Sequence, residues 1–238
     1  MKIALIGYGK MGKEIERIAL ERGHEIVLKI DINNQHELTV GNLKKADVAI
    51  EFTIPSSAIA NYNLCFDAGI PVVGGTTGWH DRKEEVHNNC LSKDGTLFYA
   101  SNFSVGMNIF FSINEKLAQL MGKCSGYKVE MKEIHHIQKL DAPSGTAITL
   151  AEGIIKNVPG KTKWVNQSTD KEDEVGIISE REGQVPGYHA VRYESEADTI
   201  EIIHNAKSRV GLAYGAVLAA EFSFGKKGIL GMSDLLNL

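Results

Sequence analysis

The chain has 238 residues, enough for one large domain or two modest ones. It is 43% hydrophobic and 24% charged, an ordinary globular make-up, and its net charge of -4 argues against a general nucleic-acid binder, which carries a basic excess. No apolar run approaches the roughly 18 residues of a membrane span, and the first residues lack the pattern of a secretory leader. The expectation is a cytoplasmic protein with no membrane or nucleic-acid partner. Cys65, Cys90 and Cys124 are widely spaced and odd in number, which suits neither a disulfide framework nor a zinc site. All three are expected to be structural.

Residues 2–6, Lys-Ile-Ala-Leu-Ile, read as a short buried strand. A glycine turn follows, then a helix from about Lys10 to Arg22 with Met11, Ile15, Ile18 and Ala19 on its apolar face, ended by Gly23. Glu25–Ile30 is a second strand that closes on Asp31. The alternation continues through a strand at Asp47–Phe52, a helix at Pro55–Ala68, a strand at Pro71–Val73, a helix at His80–Lys93 and a strand at Thr96–Ala100. Strands alternating with helices predict a doubly wound parallel sheet of Rossmann type.

The pattern changes after about Ser104. A long helix over Val105–Met121 precedes an alternating strand at Tyr127–Ile134, a polar loop and a helix from about Ser144 to Asn157. Residues 160–173 read as loop. Three strand-like stretches follow at Glu174–Arg181, Tyr188–Tyr193 and Thr199–His204, then an Ala-rich apolar helix at Leu212–Phe222. Neighbouring strands predict an open sheet, largely antiparallel or mixed, in a second domain. The fold class is therefore α/β plus α+β. Residues 1–103 and 210–238 form the dinucleotide-binding domain, and residues 104–209 the substrate-binding and oligomerisation domain.

Gly7-Tyr8-Gly9-Lys10-Met11-Gly12 is a GxGxxG between a buried strand and an amphipathic helix. Gly7 allows the tight turn, Gly9 lets a pyrophosphate approach the backbone, and Gly12 lets helix and strand pack closely. The helix N-terminus adds free N–H groups and a positive dipole end. Asp31 stands where a carboxylate accepts the ribose hydroxyls. With no arginine after it, Asp31 should repel a 2′-phosphate and so favours NADH, while Lys10 pulls toward NADPH. Phe52-Thr53 and Gly74–Gly78 lie at further strand ends, where ligands of open α/β sheets bind, so Gly75, Thr76 and Thr77 are candidates for the nicotinamide side.

The segment Glu133–Ala147 concentrates polar chemistry. His135 and His136 leave a strand, and adjacent strand residues point to opposite faces, so the two need not share a role. Histidine exchanges protons near neutral pH, and Lys139 offers a positive charge. Ser144, Gly145 and Thr146 open a helix whose N-terminus can hold an anion, most simply a carboxylate, although Asp141 or Ser144 could equally be no more than a helix cap. No third ligand for a metal is evident beside the histidine pair, so no metal is expected.

Glu-x-His-His-x-x-Lys-x-Asp-Ala-Pro-Ser-Gly-Thr-Ala over residues 133–147 resembles the signature of the 4-hydroxy-tetrahydrodipicolinate reductase (dihydrodipicolinate reductase) family. Gly75–Gly78, Asn102–Gly106, Val185-Pro186-Gly187 and Met232–Leu236 fit the same resemblance, which covers essentially the whole chain. It implies hydride transfer from NADH or NADPH to a small cyclic dicarboxylate on the route to diaminopimelate and lysine. It implies His135 as proton donor and acceptor with Lys139 as its catalytic partner. His136, Lys139, Gly145 and Thr146 would hold the dicarboxylate, with Arg209 a further cation. Gly7, Tyr8, Gly9, Lys10, Met11, Gly12, Asp31, Phe52, Gly75, Thr76, Thr77, Ala100, Ser101, Asn102 and Phe103 would bind the cofactor, and the assembly would be a homotetramer. The glycine turn is one residue shorter than in many members, and the arginine that some carry after the acid is missing. The residues alone leave two other classes open: a non-catalytic nicotinamide sensor, and a dehydrogenase with Cys124 as nucleophile.

Overall fold

The structure, a computed structural model, describes all 238 residues. The chain divides into two compact units, Met1–Val105 with Val210–Leu238, and Gly106–Arg209. No helix is long and apolar enough to cross a membrane.

The first unit is built on six parallel strands in the order β11-β5-β4-β3-β1-β2. In chain order its elements are β1 (Lys2–Ile6), α1 (Lys10–Glu21), β2 (Glu25–Ile30), α2 (Val40–Leu43), β3 (Val48–Glu51), α3 (Pro55–Ala68), β4 (Val72–Gly74), α4 (Lys83–Ser92) and β5 (Thr96–Tyr99). β1 shows why its apolar run is unbroken. Ile3 and Leu5 enter one core with Ile15, Ile18 and Ala19 of α1, while Ala4 and Ile6 enter a second core with Tyr62, Cys65 and Phe66 of α3. A strand covered on both faces has no polar side to alternate with.

The second unit comprises α5 (Val105–Met121, with only Val105 outside it), β6 (Lys128–His135), α6 (Gly145–Asn157), β7 (Lys163–Val165), β8 (Glu174–Arg181), β9 (Gly187–Glu194) and β10 (Thr199–Ala206). Its sheet runs β10-β9-β6-β8-β7 and is mixed: β6 pairs parallel with β8 and antiparallel with β9. One face carries Val129, Met131, Val175, Ile177, Val191 and Tyr193 against Met107, Phe110 and Ala118 of α5 and Leu150, Ala151 and Ile154 of α6. Strand β6 alternates buried and half-buried residues along its length, which puts Glu133 and His135 on the covered face.

After the second unit the chain returns to the first with α7 (Val210–Ser223), β11 (Gly228–Leu230) and α8 (Met232–Leu236). α7 is apolar nearly all round because it is buried nearly all round, with Ala213, Ala216, Val217, Ala219 and Ala220 in the core beside β1 and α1.

The structure corrects or extends the sequence reading in four places. The stretch expected as loop over residues 160–173 contains β7, which pairs parallel with β8. The region after Asp31 holds a single-turn helix at Gln35–Glu37 and then α2, capped by Thr39, whose hydroxyl accepts from Asn42 N at 3.2 Å. The expected helix at 80–93 is a single turn at His80–Arg82 followed by α4. β11 and α8 add a strand to the open side of β5 and a last helix. Apart from α4, these pieces are three to five residues long, too short to show a hydrophobic period.

α7 approaches the segment after β5 so closely that a Cβ at Gly215 would overlap the carbonyl oxygen of Phe103. Backbone cannot rotate away as a side chain can. Gly215→Ala is therefore expected to lower stability by about 1–3 kcal/mol, read as a fall in the urea midpoint, and an unchanged midpoint would contradict this packing.

Candidate active site

The cofactor candidates gather at one edge of the first sheet. Gly7–Gly12 follow β1, Asp31 follows β2, Phe52 follows β3, Gly75–Thr77 follow β4, and Ala100–Phe103 follow β5. β1 lies between β2 and β3, so strand order reverses at the glycine turn, the usual ligand crevice of open α/β sheets. Gly7 has φ +100°, and a Cβ there would overlap the Phe52 carbonyl oxygen. A Cβ at Gly9 would meet nothing within 4 Å, so space stands open beside the backbone. α1 begins at Lys10 with no side-chain cap and no acid in its first turn. Its first N–H groups are free to receive phosphate oxygens, and these residues fit a dinucleotide. Asp31 Oδ1 accepts from Asn33 N at 2.6 Å, which orients the carboxylate and leaves Oδ2 for a ribose hydroxyl. Not every candidate offers a side chain. Phe103 and Ala100 are core residues, and Thr76 is buried, so those positions present backbone.

Thr76 is buried for a reason the sequence did not show. Glu51, fully buried at the end of β3, accepts from the Thr76 hydroxyl at 3.0 Å, Thr53 N at 3.2 Å, Asn61 Nδ2 at 3.4 Å and the Thr53 hydroxyl, all through Oε1. The carboxyl thus ties the loop after β3 to the loop after β4. Burial pushes its pKa up and the hydrogen bonds offset only part of that rise.

The second cluster lies wholly in the second unit. Glu133 is fully buried, with Oε2 3.3 Å from His135 Nδ1 and 3.8 Å from His189 Nε2. Its Oε1 accepts from Ser144 N at 3.0 Å and lies 3.3 Å from Arg181 Nη2. Burial alone would raise the Glu133 carboxyl, but His135 and Ser144 outweigh it and hold the group well below the usual carboxylate range. Ser144 caps α6 by accepting from Ala147 N at 3.2 Å, while its hydroxyl lies 3.3 Å from His189 Nε2. Gly145 and Thr146, the first residues of α6, are therefore held against the His135 cluster. A Cβ at Gly145 would meet nothing within 4 Å, so the start of α6 is open for an anion. Lys139 Nζ lies 2.9 Å from Asp141 Oδ1, in the loop between β6 and α6. Arg181 holds that loop through the carbonyls of Lys139, at 3.3 Å, and Asp141.

Residues 1–103 match the family model described as dihydrodipicolinate reductase, N-terminus, and residues 106–236 the one described as its C-terminus. A 4-hydroxy-tetrahydrodipicolinate reductase of Christiangramia forsetii is 49% identical over 238 residues, covering 100% of this chain and 98% of its own. The chain belongs to the dihydrodipicolinate reductase family. A 4-hydroxy-tetrahydrodipicolinate reductase of Methanoculleus marisnigri is 34% identical, with both chains covered completely at 100%. Among solved structures, a dipicolinate-bound dihydrodipicolinate reductase from Paenisporosarcina sp. TG-14 shares the fold, with TM-score 0.80 at 22% identity over 97% of each chain.

Against this family background, the structure brings His135, Gly145 and Thr146 into one locality through Ser144 and Glu133. His136 lies past the end of β6, half-buried, outside the Glu133 cluster. Arg209 is exposed at the end of the second unit. Four residues escaped the sequence reading: Glu51, Glu133, Arg181 and His189. Glu133 was legible as an acid on the covered face two residues before His135, whereas Arg181 and His189 come near only through strand pairing. The ligating groups that come together include only one member of the His135–His136 pair. Glu133, His135 and His189 place ligating atoms within 4.8 Å of one another, although Arg181 already supplies positive charge to that carboxylate. Cys65 and Cys90 are buried as expected, with burial pushing the Cys90 thiol up to about 11, but Cys124 is exposed.

The raised Glu51 carboxyl contributes stability that is present below the unfolded pKa and is lost as pH rises through the folded one. A neutral amide escapes that loss. The melting temperature of Glu51→Gln, measured against wild type, should therefore climb as pH rises above the usual carboxylate range. A difference that stays flat over that rise would show that Glu51 ionises as freely as an exposed acid.

Proposed function

We propose that His135 and Lys139 carry the proton chemistry of this reductase, and that His136, Lys139, Gly145 and Thr146 hold its dicarboxylate substrate. The family activity is the reduction of 4-hydroxy-tetrahydrodipicolinate in diaminopimelate and lysine biosynthesis. The observation that carries the assignment is the buried His135 beside an ionised carboxylate and an open helix N-terminus.

A nicotinamide cofactor, when bound, would supply the hydride for the conjugated ring that forms once the 4-hydroxyl has left as water. The residues of this chain supply the rest. The first N–H groups of α6, at Gly145 and Thr146, receive a substrate carboxylate. Lys139 adds a positive charge opposite the dianion, and release from Asp141 frees its ammonium for that purpose. As electron density moves toward the ring nitrogen, His135 in its doubly protonated form gives up its Nε2 proton to complete the reduction, keeps Nδ1–H, and regains the proton from solvent. Turnover of His135→Ala and of Lys139→Ala is expected to fall by about 10²–10⁴-fold, with NADH affinity by fluorescence titration nearly unchanged. Wild-type turnover in both variants would sink the assignment.

NADH is the proposed cofactor. Asp31 has no cation after it, and Lys29, two residues before it, is held by Glu16 at 2.5 Å and lies 5.1 Å from the Tyr8 ring centroid. A 2′-phosphate would meet Asp31 with that lysine already neutralised. Catalytic efficiency should be higher with NADH than with NADPH, and Asp31→Ser should narrow the gap; a strong NADPH preference in the wild type overturns this reading. We further propose a cytoplasmic homotetramer. Edge strand β10, with Ile200 and Ile203 exposed, supports assembly through the second unit.

A further inference from the structure

We infer that Glu133 is a positioning residue that fixes which nitrogen of His135 carries the proton, holding Nδ1 as N–H and leaving Nε2 to exchange with substrate. This rests on the reading of His135 as the proton carrier.

The inference follows from counting donors and acceptors. Glu133 Oε2 and His135 Nδ1 are buried 3.3 Å apart, and each lacks any hydrogen-bond partner, so the two unsatisfied atoms have only each other within reach. The other oxygen, Oε1, faces Ser144 N and Arg181 Nη2, which can only donate. An ionised carboxylate offers acceptors alone, so the nitrogen turned toward Oε2 must bring a hydrogen. In the neutral imidazole that places the hydrogen on Nδ1 and the lone pair on Nε2.

Two neighbours keep the ring in that orientation. His189 meets it edge to face with centroids 5.1 Å apart. Burial pushes His189 down to about 3, so it stays neutral and does not compete with His135 as a cation for Glu133. On the other side, a Cβ at Gly187 would come within 3.2 Å of His135 Nε2, so the glycine keeps that edge of the ring clear. Arg181 joins the same carboxylate to the loop of Lys139 through the Lys139 and Asp141 carbonyls, so one buried charge positions both proposed catalytic residues.

Glu133→Gln tests this with a predictable geometry. Ser144 N and Arg181 both need an acceptor, so the amide oxygen stays with them and the amide NH2 faces His135. Nδ1 must then become the acceptor, and the tautomer inverts. Long-range 1H–15N correlation spectra of the labelled protein, with the His135 signals identified by their loss in His135→Gln, should show Nδ1–H in the wild type and Nε2–H in Glu133→Gln. Turnover of Glu133→Gln should fall by about 100-fold with the KM for substrate within about threefold, because the groups that hold the dicarboxylate are untouched. Glu133→Asp keeps an acceptor-only partner and should retain Nδ1–H and more activity than Glu133→Gln. A wild-type His135 found as Nε2–H, whether or not any variant folds, overturns the inference, as does a Glu133→Gln enzyme with unchanged turnover. Undiminished turnover in His135→Ala would instead remove the proton-carrier reading, and the tautomer measured on the resting protein would still stand or fall by itself.

Discussion

A carboxylate removed from water must be met by enough donors or it will not stay charged. Glu133 meets this condition with groups from four places in the second unit: His135 two residues along β6, Ser144 at the start of α6, Arg181 at the end of β8 and His189 on β9. Losing any one donor would leave a buried charge short of partners. The requirement therefore sets where α6 begins relative to the sheet, how β8 registers against β6, and where the loop of Lys139 is pinned. The open N-terminus of α6 and the oriented imidazole are two results of one electrostatic constraint.

The first unit meets a similar problem in the opposite way. Glu51 is as deeply buried as Glu133, but its neighbours are hydroxyls, an amide and a backbone N–H, with no cation among its hydrogen-bond partners. Its carboxyl is driven toward the protonated form, whereas Glu133 is driven toward the ionised one. Each suits its place. A charge at the end of β3 would stand close to loops proposed to receive a polyanionic cofactor, while a charge under His135 gives Nδ1 an acceptor to face. Two acids of the same type are made different by their neighbours, a histidine and a helix cap for Glu133 against hydroxyls and an amide for Glu51.

Much of this was legible in the sequence, and the limits have physical causes. The parallel sheet could be read because each strand is apolar throughout and each helix is periodic, and the glycine turn because its neighbours on either side supplied context. His135, Lys139, Gly145 and Thr146 could be read because they are crowded into one local segment. Glu133 sits in that segment too, yet was passed over: an acid on a strand looks like a solvated side chain until the covering α6 is in place. Arg181 and His189 carry no local signal, since their nearness to Glu133 depends on the register of β8 and β9 against β6. β7 and β11 were missed because three residues cannot display a period of two convincingly.

The route of the chain through its first unit has a consequence in time. The core around β1 and α1 is completed by α7, and the open side of β5 is covered by β11, both made of residues beyond 210. During synthesis the glycine turn and its strands leave the ribosome with an apolar face and a sheet edge still bare. The whole second unit must follow before either is covered, and it can close around Glu133 while the first unit is still waiting for its last helix.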